Sequence, residues 1–366
     1  MTTTLIAPQR FSPSASDESL PLLLKPFTGE VMNRPPVWFM RQAGRYMEEY
    51  RAIRSKVSFL ELCKNPELSA EVSLQPWQAF HTDAVIMFCD ILIPPEAMGM
   101  ALDFTDHGPV FANPLRSAAQ VDALRVPDPQ ESMPFVMDLI RRLRCELAGS
   151  PETALIGFAG APWTLACYMI EGGTSKNFRH IKAWMYEDPA SLHRLLDKLA
   201  DTVIVYLNAQ IAAGAQMVQL FDTWGGLLDE HGYRTFIMPY QKKVLDGLNR
   251  TQAPAVLYMN NGAHVLSAVL ETTPDGLSVD DRTSLISLRS LANDSGQTGL
   301  VLQGNLDPIA MLSRPEVLKP LVQANLKTGG NTNYIFNVGH GLIPQTPPDN
   351  VKRVVEWIRS GELTTG

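Results

Sequence analysis

The stretch Ala154-Leu155-Ile156-Gly157-Phe158-Ala159-Gly160-Ala161-Pro162-Trp163-Thr164 passes from a short apolar run through small turn residues to a proline that suits a helix's first turn. It reads as the end of a buried strand feeding a helix. The same grammar recurs along the chain. Apolar runs at 37–40, 84–88, 217–221, 255–259, 276–279, 300–303 and 334–338 each stop at polar or turn residues. Between them lie amphipathic stretches such as 135–146, 189–212, 227–248, 263–270 and 315–326. Strands alternating with helices imply parallel β-α units. Eight such runs predict a single-domain (β/α)₈ TIM barrel, with its active site at the C-terminal ends of the strands. An open doubly wound sheet makes similar local patterns. Its usual nucleotide-binding loops, G-x-G-x-x-G and G-x-x-x-x-G-K-[ST], are absent.

The 366 residues are 45% hydrophobic and 19% charged, with a formal net charge of −7. Nothing in that balance draws the chain to nucleic acid, and an anionic substrate needs a local positive site. No apolar run is long enough to predict a membrane span. Residues 1–24 read as a disordered tail and 25–366 as the catalytic barrel. The single Arg10 and the acids Asp17 and Glu18 give the tail little of the character of a transit peptide. Cys63, Cys89, Cys145 and Cys167 are too scattered for a disulfide framework, which suits a reducing cytoplasm. The histidines form no H-E-x-x-H or comparable pair, so no metal site is expected.

Polar residues gather where the apolar runs stop: Arg41, Asp90, Thr223, Asn260, Asp280, Asn305 and His340. Arg41 and Arg45 flank Gly44, and their planar guanidinium forks fit carboxylates or phosphates. The alternative is that they pair with Glu48 and Glu49 on a solvated face. Asp90 is a lone acid in an apolar string, so it must be paired, protonated or functional. Arg41 is its candidate partner. Tyr168 lies early in a helix beyond a strand end, and Thr223 precedes Trp224-Gly225-Gly226. His340 between Gly339 and Gly341 is an accessible imidazole. Tyr168 as a packed aromatic and His340 as a turn residue are the structural alternatives.

Six strings occur in order: PVWFMRQAGRY (36–46), FCDIL (88–92), GFAGAPWTLACYMIEGG (157–173), LFDTWGG (220–226), LQGNLDP (302–308) and NVGHG (337–341). Together they resemble the uroporphyrinogen decarboxylase family from about Arg34 onward. The resemblance implies a (β/α)₈ barrel acting as a homodimer with facing clefts. It also implies a carboxy-lyase without cofactor or metal, turning the four acetates of uroporphyrinogen III into the methyls of coproporphyrinogen III in tetrapyrrole (haem and chlorophyll) biosynthesis. By the same resemblance, substrate binding falls to Arg41, Gln42, Ala43, Gly44, Arg45, Arg54, Asp90, Tyr168, Thr223 and His340, and catalysis to Asp90, Arg41 and Arg45. One position departs: after the sixth strand the family usually reads Asp-Trp, and this chain reads Asp280-Asp281. A zinc-dependent corrinoid-protein methyltransferase of the same fold and a non-catalytic tetrapyrrole binder are the rival expectations.

Overall fold

The computed structural model describes residue 11, residues 20–106 and residues 108–363. Nine strands are present among them: β1 (Ala84–Ile86), β2 (Leu102–Thr105), β3 (Gly108–Phe111), β4 (Ala154–Gly160), β5 (Met217–Asp222), β6 (Ala255–Met259), β7 (Gly276–Val279), β8 (Val301–Leu306) and β9 (Tyr334–Val338). Seven of them form one curled, all-parallel sheet in the order β1-β4-β5-β6-β7-β8-β9. These seven correspond to seven of the eight expected runs. β2 and β3 make a separate antiparallel hairpin within the longer link after β1. Helices return the chain between the parallel strands. The longest, Pro189–Ala213, starts with the Asp188 carboxylate accepting from Ser191 N–H at 3.1 Å.

The eighth run, 37–40, is a correction to the expected strand count. It contributes only an isolated parallel bridge, Val37 to Phe336, in place of a strand. Pro35 and Pro36 have no N–H to donate. Side chains then take the N–H groups that follow: Asp83 accepts from Val37 at 2.8 Å, Gln42 from Phe39 at 3.2 Å, and Asn337 from Met40 at 2.9 Å. Residues 36–38 nevertheless lie between both edges of the sheet. Phe336 N–H donates to the Pro36 carbonyl at 2.9 Å, and Asp83 N–H donates to the Val37 carbonyl at 2.9 Å.

Side chains on the concave face change character from bottom to top. At the N-terminal end, Ala84, Ala154, Ile156, Met217, Val256, Val301 and Ile335 pack together with Trp38. Leu23 and Leu24, 0% and 3% exposed, cover this end from the short 3₁₀ segment Leu22–Thr28. Residues 20–24, ahead of the expected boundary at residue 25, are thus part of the packed structure. The remainder of the expected tail, 1–10 and 12–19, lies outside the described residues. Above the apolar layer, Gln303 donates to Gln219 at 3.0 Å and to Ser278 at 2.9 Å, and accepts from Trp38 Nε1 at 3.0 Å. Such buried amides hold their neighbours at fixed orientation because each lost bond would leave a desolvated polar group. No helix among the described residues is long and apolar enough to cross a membrane.

Candidate active site

Arg41 stands at the turn that follows the Val37 bridge, in the left-handed region at φ 60°. The turn is locked from beneath by Gln42, which is 0% exposed. Its amide donates to the Ala84 carbonyl at 3.0 Å and accepts from Phe39 N–H, while Tyr46 Oη donates to its backbone carbonyl at 2.6 Å. Both ends of the Gln42 side-chain amide are thus engaged within the wall. Ala43 and Gly44 are half-buried and present backbone at the turn. The Arg41 stem crosses Gly341, where a Cβ would fall 2.2 Å from Arg41 Cδ. Only glycine leaves that path open, which explains one end of the NVGHG string.

Arg41 and Arg45 are both exposed and form no ion pair among the described residues, so the expected alternative of pairing with Glu48 and Glu49 is not what the structure contains. Arg54 is different. Its guanidinium donates to the Val57 carbonyl and lies 5.8 Å from the Phe59 ring centroid, a contact already made within its own loop.

Asp90 follows β1 by four residues. Its Oδ1 accepts from Leu92 N–H at 2.8 Å, which leaves Oδ2 with no protein hydrogen bond among the described residues. Although partly open to the mouth, the carboxyl is crowded by protein, and desolvation pushes its pKa up to about 6. The Leu92 N–H and the Arg41 charge pull in the opposite direction. Arg41 is thus close enough to act on Asp90 electrostatically without forming a salt bridge to it. Tyr168, on helix Pro162–Glu171, feels both groups: burial raises its pKa first, then Asp90 raises it and Arg41 lowers it. Its ring lies 6.3 Å from that of Trp224.

Across the mouth, His340 stacks on Tyr258 at 6.3 Å and 15°. Tyr258 Oη donates to the Gly339 carbonyl at 3.0 Å and lies 3.3 Å from His340 Nδ1. With the hydroxyl proton committed to Gly339, the phenol oxygen is the acceptor for Nδ1–H, and Nε2 keeps its lone pair. Burial lowers the His340 pKa to about 4, helped by Arg41 and Arg282 against Asp280. The imidazole is neutral at pH 7 and can accept a hydrogen bond. The Thr223 hydroxyl has no partner among the described residues, and its backbone carbonyl accepts from Asn260 Nδ2 at 3.2 Å.

The structure thus brings Arg41, Asp90, Tyr168 and His340 within electrostatic reach around one rim. It also shows parts that the sequence reading missed. Phe158, Phe221, Tyr258 and His340 form a chain of rings, with successive centroids 5.7, 5.7 and 6.3 Å apart. Two-residue alternation within β4, β5 and β6 was the available signal, since these rings share a face with the inward residues Ile156, Gln219 and Val256. Asp222 is buried under this rim. It accepts from Thr164 Oγ1 at 2.6 Å and Gln241 Nε2 at 2.7 Å, and desolvation pushes its pKa up to about 6. Thr164 in turn accepts from Trp224 N–H at 3.1 Å, so Asp222 fixes the Thr223–Trp224 turn. Among the described residues, no group of three or more His, Cys, Asp or Glu side chains is placed to hold a metal ion.

Residues 19–361 match the family described as Uroporphyrinogen decarboxylase (URO-D). A uroporphyrinogen decarboxylase from Geobacter metallireducens is 46% identical over 331 residues, covering 90% of this chain and 95% of that protein. The uroporphyrinogen decarboxylase of Chromohalobacter salexigens is 46% identical over 341 residues, covering 91% and 95%. Among solved structures, a methyltransferase from Methanosarcina mazei superposes with a TM-score of 0.78 over 93% of this chain and 99% of its own. At 21% identity that is a likeness of fold.

Proposed function

This chain belongs to the uroporphyrinogen decarboxylase family, and from that membership and the chemistry of the rim we infer that it decarboxylates the four acetates of uroporphyrinogen III to give coproporphyrinogen III. Family membership favours this over a zinc-dependent methyltransferase, which shares the fold. The observation that carries the inference is Asp90: a desolvated carboxylate with one oxygen unbonded among the described residues, facing a rim whose Arg41 and Arg45 form no ion pair among those residues.

The substrate has four pyrrole N–H donors, and one carboxylate can accept from all of them at the centre of the folded macrocycle. Asp90 is ionised at neutral pH and fills that role. Arg41 and Arg45 hold substrate carboxylates, the Tyr168 and Thr223 hydroxyls add hydrogen bonds at the periphery, and neutral His340 offers Nε2 as an acceptor. Gln42, Ala43 and Gly44 act through the turn that presents Arg41. Arg54 remains in its loop contact and gives way only if substrate draws it out. In each cycle, protonation of the pyrrole α-carbon next to the ring carbon that bears the acetate makes the ring an electron sink. The bond from the acetate methylene to its carboxylate carbon then breaks, its electron pair enters the ring, and carbon dioxide leaves. A proton added to the methylene forms the methyl, and loss of the ring-carbon proton restores the pyrrole. The Asp90 charge stabilises the cation that appears on the ring, a preorganised electrostatic effect.

The hydrogen bonds of residues 36–38 to both sheet edges support a closed eight-fold barrel in which this segment stands as the remaining strand, so that one barrel forms the catalytic domain. We also propose a homodimer in the cytoplasm. Exposed apolar side chains at Ile286, Ile309, Leu312, Val317 and Leu321 offer a surface for a second copy, and the four cysteines are unpaired. Light scattering on the purified chain tests the dimer. Incubation with uroporphyrinogen III under reducing, anaerobic conditions tests the function. Coproporphyrinogen III with four equivalents of carbon dioxide is expected, and recovery of unchanged substrate refutes the reading.

A further inference from the structure

Arg282 lies just past β7, two residues beyond Asp280 and beside the Asp281 that stands where the family usually has Trp. Its Nη2 donates to Asp280 Oδ2 at 3.1 Å and to Asn260 Oδ1 at 3.4 Å. Asp280 is itself 1% exposed and held by Asn261 N–H at 2.7 Å and Thr283 Oγ1 at 3.0 Å, so the anchor is rigid. Asn260 carries the connection onward by donating to the Thr223 carbonyl at 3.2 Å. Arg282 is therefore tied into the same rim as Thr223. Its charge also acts on His340 and Tyr258, the pair on which Arg41 acts.

A guanidinium carries five N–H donors, and the Asp280 and Asn260 bonds use only those of Nη2. The Nε and Nη1 donors have no partner among the described residues, and the side chain is 62% exposed. One edge of the fork is thus fixed to the wall while the other is open. Resting on the decarboxylase reading above, we propose that Arg282 is a further substrate-binding residue of this chain, whose open edge holds a peripheral carboxylate of the porphyrinogen beside His340. The chemistry requires such a group. A porphyrinogen with eight carboxylates on a chain of net charge −7 needs cations on more than one side of the mouth, and Arg41 and Arg45 both come from a single turn. A carboxylate docked against the open edge gains a charge-assisted bond that needs little reordering of the side chain.

The test compares uroporphyrinogen kinetics for wild type, Arg282→Gln and Arg282→Lys over a range of ionic strength, with Arg141→Gln as a control for total charge. Arg141 is 53% exposed on a helix outside the rim. Arg282→Gln keeps an amide donor for Asp280 and is expected to raise KM about three- to tenfold with kcat within about twofold, because the contact is made equally in ground and transition states. Its kcat/KM should also fall less steeply with salt. Arg282→Lys should keep the wild-type salt dependence, and Arg141→Gln should match wild type throughout. An unchanged KM and salt dependence in Arg282→Gln, or a lower kcat at constant KM, overturns the proposal. Should Arg282→Gln also melt lower, Arg282→Lys decides: recovery of KM supports the subsite, and recovery of melting alone overturns it. Absence of wild-type turnover overturns the decarboxylase reading and the subsite together, whereas turnover with an insensitive Arg282→Gln overturns the subsite alone.

Discussion

Asp90→Asn separates a catalytic carboxylate from a structural one because the two roles move stability in opposite directions. Desolvation raises the Asp90 pKa from 3.8 to about 6, so the folded protein favours the protonated acid. A group raised in this way contributes stability that is full below its unfolded pKa and is lost as pH rises through the folded one. Above about pH 6 the ionised carboxylate therefore burdens the fold. A shift of roughly two pKa units corresponds to about 3 kcal/mol, and partial opening to the mouth reduces it to about 1–3 kcal/mol. Asparagine keeps the oxygen that accepts from Leu92 N–H and removes the charge. Asp90→Asn should accordingly melt about 1–4 °C higher than wild type at pH 8, with the difference vanishing near pH 4. Turnover should move the other way, with kcat lower by about 10²–10³ and KM changed modestly, as for an interaction made mainly in the transition state. Differential scanning fluorimetry across pH and steady-state decarboxylation on the same preparation measure both. A destabilised mutant with near wild-type kcat would refute the reasoning and return Asp90 to a structural role.

Three further outcomes are expected. Arg41→Lys keeps the charge but loses the planar fork, and it should lower kcat/KM clearly; activity equal to wild type would place Arg41 among ordinary solvated arginines, whose pairs contribute only about 0–1 kcal/mol. Gly341→Ala puts a methyl on the path of the Arg41 stem and should lower kcat/KM about 10- to 100-fold while the protein still folds; unaltered kinetics would mean that the position of Arg41 does not matter. Because Asp90 acts as the anion, kcat/KM should fall as pH drops below about 6, with neutral His340 adding no break until near pH 4; a flat profile from pH 5 to 8 would contradict the assignment.

Short-range pattern determined much of this protein before folding is considered. Apolar runs of strand length, each stopped by a polar residue and followed by helical spacing, identify the seven parallel strands, because burial on both faces is written into each run locally. The same pattern singled out Asp90 and His340 as candidates, since a lone acid in an apolar string or an imidazole between glycines is unusual in any fold. The place of the 37–40 run was not legible in that way. Whether residues 37–40 form a strand depended on side chains that arrive from far along the chain: Asn337 takes the Met40 N–H and Gln303 takes the Trp38 indole. The polar residues near the rim were divided by the same long-range geometry. Gln42 and Arg41 are adjacent in sequence, yet one turns into the wall and the other crosses Gly341 toward the mouth. Arg54 reads as one more arginine near Arg41 and Arg45, and only the structure shows its guanidinium donating to the Val57 carbonyl beside the Phe59 ring. Arg282, which follows a pair of aspartates, reads as a solvated charge until Asn260 ties it to Thr223. Local periodicity fixes which face of an element is buried, but what a polar side chain meets there depends on neighbours that only the curled sheet brings within hydrogen-bonding distance.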